Sequence, residues 1–115
     1  MPNLRTSGWM SAVVADEGTT SAAVDLGAPY RSLAIDIPTI DSSTVTVQVA
    51  MTAGDTYKTL YVISLNDGDD DNAITTAGTG GIMVVFPVFG FQYLKILCGT
   101  TQSTSAVTFY VRGFN

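Results

Sequence analysis

The sequence has no histidine, one cysteine (Cys98) and one glutamate (Glu17) among its 115 residues. Without imidazole there is no Ser-His-Asp or Cys-His catalysis and no histidine-based zinc site. Any hydrolase would need two carboxylates brought together, and no spacing among the aspartates marks such a pair. A lone cysteine excludes an intrachain disulfide and a CxxC metal site. In the run Leu94-Lys95-Ile96-Leu97-Cys98 it reads as a small buried apolar residue rather than a reactive thiol.

Charge is also scarce. Asp, Glu, Lys and Arg make up 13% of the chain, against roughly 25% in an ordinary soluble domain. Beyond Asp71 only Lys95 and Arg112 are charged. The five basic residues (Arg5, Arg31, Lys58, Lys95, Arg112) are scattered and the net charge is −5. Nucleic acid, whose phosphates need clustered Lys and Arg, is not an expected partner. No apolar run is long enough for a membrane helix, and residues 1–18 lack the apolar core of a signal peptide. Neither membrane insertion nor export is expected, and synthesis in a cytoplasm is.

What the chain does have is period-two alternation. Leu33, Ile35 and Ile37 share one face of a strand, as do Val45, Val47, Val49 and Met51, and Val107, Phe109 and Val111. Further strands are expected at 20–26, 57–65, 82–86 and 93–98. Turn-forming residues separate them at Ala28-Pro29, Asp41-Ser42-Ser43, Ala53-Gly54-Asp55, Asn66-Asp67-Gly68 and Gly99-Thr100-Thr101. No segment holds a helical period. The pattern predicts an all-β chain, a single antiparallel β-sandwich of about eight strands, jelly-roll-like, with an immunoglobulin-like topology as the alternative. Residues 1–12 read as an N-terminal arm and 13–115 as the sandwich domain, with a long polar connection over 66–81.

That connection leads into GGIMVVFPVFGF, residues 80–91, which contain no charged side chain. A chain of this length buries only about two-thirds of its unfolded surface. So much uncharged, apolar material therefore predicts contact with other subunits. The expected contact residues are Ile82, Met83, Val84, Val85, Phe86, Phe89 and Phe91, with Leu4 and Trp9 as a docking arm; some of these must fill the core instead. Two other groups are candidates. Asp67, Asp69 and Asp71 match the first three acidic positions of an EF-hand loop. Asn72, however, stands where glycine belongs, and Gly78 stands where the bidentate glutamate belongs. A solvated loop is the preferred reading, a Ca²⁺ site the competing one, and no other cofactor is expected. Tyr57 and Tyr61, on either side of Thr59, would share a strand face and could stack on sugar rings.

Asp25-Leu26-Gly27, Tyr30-Arg31-Ser32-Leu33, Ser43-Thr44-Val45-Thr46-Val47-Gln48-Val49, Tyr93-Leu94-Lys95-Ile96 and Phe109-Tyr110-Val111-Arg112-Gly113-Phe114 span most of residues 25–114. In this pattern the chain resembles small β-sandwich structural proteins of tailed bacteriophages. The resemblance implies a non-enzymatic virion component made in the host cytoplasm. A capsid decoration or cement subunit is the first choice, self-associating (a trimer favoured) and bound to other virion proteins such as the major capsid protein. The alternative is a tail, fibre or baseplate module that binds host surface glycans. The pattern carries over no catalytic or ligand-binding residue.

Overall fold

The segments with the clearest alternation, 33–37, 45–49 and 107–111, all lie in strands. The computed structural model describes residues 6–62, 72–73 and 75–115. Among these, twelve strand segments form: β1 Met10–Val14, β2 Gly18–Thr20, β3 Val24–Asp25, β4 Ser32–Ile37, β5 Ser43–Ala50, β6 Lys58–Thr59, β7 Tyr61–Val62, β8 Asn72–Ala73, β9 Thr75–Gly78, β10 Ile82–Pro87, β11 Tyr93–Gln102 and β12 Val107–Phe114. The first sheet has the order β1-β12-β4-β10. The second has the order β2-β11-β5-β6, with β3 also on β11 and β9 also on β5, and β7 pairs with β8 apart from both. The chain thus crosses between sheets at nearly every connection, returning to the first sheet at β4, β10 and β12. This is a jelly-roll-like β-sandwich, as the alternation predicts.

The core lies between the two inner faces. Register puts Ile35 between Val84 and Val111 in the first sheet and Val47 opposite Ile96 in the second. Residues directly opposite across a ladder point the same way. Ala12, Val14, Leu33, Ile37, Phe86 and Phe109 therefore meet Val45, Val49, Leu94 and Cys98 in one buried cluster. Each large aliphatic side chain fully buried there contributes about 1.5–3 kcal/mol relative to leaving it in water. Cys98 is part of that core, and burial pushes its thiol pKa up, with the Ser43 hydrogen bond opposing.

Two close approaches set the edges. The Tyr30 ring packs against Gly113, where an added Cβ would come within 2.5 Å of the ring's Cδ2. Gly80, at φ +81°, packs so tightly on the Pro38 carbonyl that a Cβ would overlap it. The turn that delivers the chain into β10 thus depends on glycine. At the end of the sandwich where the 38–42 loop meets residues 100–104, Asp41 N–H donates to Gln102 Oε1 at 2.9 Å. Thr104 Oγ1 donates to Asp41 Oδ1 at 2.6 Å, and Ser103 N–H to Oδ2 at 2.8 Å. These bonds hold the Asp41 carboxyl below its ordinary pKa.

Three expectations are corrected. Met10, Ser11 and Ala12, read as arm, belong to β1, and Thr6 already bridges to Phe114. Pairing with β12 recruits them, although their alternation is too short to register in the sequence. The connection expected over 66–81 contains β8 and β9, because Thr75–Gly78 pairs with the edge of β5 that β11 leaves open. The strand expected over 57–65 is broken at Leu60, which is buried and donates its N–H to the Val47 carbonyl at 3.0 Å.

Candidate interaction surface

Alternation that turns Leu33, Ile35 and Ile37 inward turns Ala34 and Asp36 outward, and the same holds in each strand of the first sheet. One cross-strand row of the outer face runs Met83, Asp36, Tyr110, Ser11. The next runs Val85, Ala34, Arg112, and Val13 lies opposite Thr108. A soluble monomer would place polar residues here. Instead Met83 is 60% exposed, Val85 59%, Tyr110 48%, Trp9 46% and Val13 41%. Trp9, Asp36, Met83 and Tyr110 line a shallow depression of about 390 Å³.

Trp9 is held on this face by β12. Arg112 lies over its ring, with Cζ 5.5 Å from the centroid, a cation–π arrangement. The same guanidinium donates through Nε to the Ser7 carbonyl at 3.0 Å and through Nη2 to Thr6 Oγ1 at 3.3 Å. Ser7 N–H donates to the Gly113 carbonyl at 2.8 Å, and Gly113 N–H donates to Ser7 Oγ at 2.9 Å. The aromatic ring is thus placed before any partner arrives.

The expected contact residues divide as alternation dictates. Met83, Val85 and Trp9 lie on the outer face. Phe86 is buried in the core and Val84, partly buried, packs against it. Ile82 is exposed at the start of β10, opposite Ile37 on the inner side. Phe89 is exposed in the turn after β10, at φ +53°, and Phe91 is half-buried against the core. Leu4 lies outside the described residues, as do Asp67, Asp69 and Asp71. Among the described residues no group of three or more His, Cys, Asp or Glu is placed to hold a metal ion. Val13, Asp36, Tyr110 and Arg112 also lie on the first sheet's outer face; alternation turns Asp36, Tyr110 and Arg112 outward, but nothing in it marks them as contact residues. Their signal was the outward phase of β1, β4 and β12, which looks unremarkable until the strands are side by side.

The outer face of the second sheet is different. It carries Thr44, Gln48 and Thr59, with Lys95 opposite Gln48 and Tyr93 opposite Ala50. Tyr57 joins it, but Lys95 Nζ sits 4.6 Å from the Tyr57 ring centroid, over the face a sugar would use. Among the described residues the buried Tyr57 hydroxyl has no hydrogen-bond partner, and desolvation pushes its pKa up. Tyr61 begins β7, in a different strand pair from β6, so the two tyrosines do not share a strand. A cleft of about 640 Å³ opens at the end of β5 between Met51, Asp55, Lys58, Leu60 and Phe91.

No protein-family model and no curated protein matches the sequence. Among solved structures, the SPBc2 prophage-derived protein YomS superposes with a TM-score of 0.63 at 11% identity, over 100% of this chain and 97% of that one. The C-terminal domain of A223, a structural protein from Sulfolobus turreted icosahedral virus, aligns over 95% of this chain and 98% of that one at 14% identity, with a TM-score of 0.39. A chain of the cyanophage Pam1 capsid asymmetric unit aligns over 97% and 84% at 17% identity, with a TM-score of 0.42. The first likeness shows a common fold, in agreement with the resemblance to phage β-sandwich proteins. The other two are too loose to extend it.

Proposed function

We propose that the chain is a non-enzymatic structural subunit of a phage virion and, more narrowly, a capsid decoration or cement subunit. The observation that carries this reading is the outer face of the first sheet, where exposed apolar side chains lie on a rigid sheet with a pre-positioned tryptophan. Removing such a face from water gains roughly 25 cal/mol per Å² of apolar surface, much of it offset by the entropy of association. Repetition over a symmetric particle compensates for weakness at any one contact. The carboxylates whose partners are known serve structure. Asp41 ties two loops together, and Asp25 accepts from Gly27 N–H and Gln92 Nε2, each at 2.8 Å.

The test is to purify particles from cells that carry the gene and quantify their proteins by mass spectrometry. A decoration subunit appears at a copy number comparable to the major capsid protein. A few copies per particle would move the chain to the tail, and absence from particles would overturn the reading. The second reading, a tail, fibre or baseplate module binding host glycans, is supported by Tyr57 and Tyr93 on the second sheet. It is weakened by the Lys95 side chain over Tyr57. Sugar titrations that raise the melting temperature would favour it, as linkage requires for a ligand of the folded state.

A further inference from the structure

We infer that the outer face of the first sheet binds a second copy of this chain across a two-fold axis, with Asp36 of each copy meeting Arg112 of the other. The inference rests on the assembly reading above and names the partner at that face. Two copies of a chain with a net charge of −5 repel each other over most of their surface. The outer face of the first sheet is the exception. Its charged side chains among the described residues are one acid, Asp36, and one base, Arg112, so it is neutral as well as apolar. The two are diagonal neighbours, Asp36 opposite Tyr110 and Arg112 opposite Ala34. The Asp36 carboxylate has no hydrogen bond or ion pair among the described residues, whereas Arg112 spends only part of its fork on Ser7 and Thr6.

One acid and one base on an otherwise uncharged face make it self-complementary. A two-fold axis in the plane of contact, perpendicular to the line from Asp36 to Arg112 and bisecting it, exchanges the two positions. Each carboxylate then meets a guanidinium, twice per dimer, as an isologous interface requires. With strands about 4.8 Å apart and residues rising about 3.3 Å, this axis passes close to both Val85 and Tyr110. Each of these packs near its own counterpart. The trimer expected from the sequence has no comparable surface feature behind it.

The experiment is molar mass by sedimentation equilibrium across a concentration series, with folding checked by circular dichroism. Wild type should approach twice the 12.1 kDa chain mass. Asp36→Arg places like charges against Arg112 and should raise the dissociation constant roughly a hundredfold; Arg112→Asp should do the same from the other side. An equimolar mixture of the two variants restores both opposite-charge contacts, and dimer should reappear only in the mixture. If Arg112→Asp does not fold, Val85→Glu replaces it: two carboxylates at the axis should leave a folded monomer. The inference is overturned by a wild type that stays at 12.1 kDa, by single variants that dimerise like wild type, or by folded variants that remain monomeric when mixed. A monomeric wild type still found in purified particles would sink the dimer and leave the virion reading standing. A dimer absent from particles would do the reverse.

Discussion

The two sheets share one inner chemistry and differ in their outer faces. Facing the core, both present Val, Ile and Leu at alternate positions, to which the first sheet adds Phe86 and Phe109 and the second Cys98. Facing out, the second sheet carries Thr44, Gln48, Thr59 and Lys95 beside Thr46, Tyr93 and Leu97, most of them half-buried or buried, while the first carries Met83, Val85, Tyr110, Val13 and Trp9, each at least 41% exposed. The inner positions close the core, and the exposed apolar residues on the first sheet's outer face add nothing to it.

The largest expected effect shows the inner faces to be equivalent. Ile35→Ala in the first sheet and Ile96→Ala in the second should each cost about 2–5 kcal/mol in denaturant unfolding, because both side chains are fully buried. Gly113→Ala tests the same boundary from the side of overpacking. Its methyl meets the Tyr30 ring, and a loss of about 1–3 kcal/mol is expected. The outer faces should then behave oppositely to each other. Met83→Lys should leave stability within about 0.5 kcal/mol of wild type yet abolish association in the ultracentrifuge, whereas Thr44→Lys on the second sheet should change neither.

The smallest effect concerns pH and belongs to neither face. Asp41 is held below its ordinary carboxyl pKa, chiefly by the Thr104 hydroxyl and then by the Ser103 and Thr104 amides. A carboxyl whose folded-state pKa is depressed adds stability that is fully present above its unfolded value, about 3.9. That contribution is lost as pH falls through the lower folded value. Thermal melts in acid should therefore show a shallower pH dependence for Asp41→Asn than for wild type.

Much of the sandwich was legible because period two is unambiguous where polar and apolar residues alternate. Val45, Val47 and Val49 are inside, as are Val107, Phe109 and Val111. Legibility failed where the alternation is filled in. In residues 82–86 every side chain is apolar, so nothing local distinguishes Val84 and Phe86, which face the core, from Met83 and Val85, which do not. The break at Leu60 answers to a hydrogen bond with Val47 in another strand, and no local pattern encodes that. The pairing of Asp36 with Arg112 on one face was beyond reach for a related reason. It depends on the register of β4 against β12, which the sheet decides.

On the proposed dimer the first sheet's outer face is covered, and the chain's single tryptophan lies on that face. Acrylamide quenching of Trp9 fluorescence across a concentration series reads it directly. Quenching should fall as the mass rises, and Val85→Glu should remain fully quenchable at every concentration. Quenching that stays constant while the mass doubles would place the contact elsewhere and contradict the account.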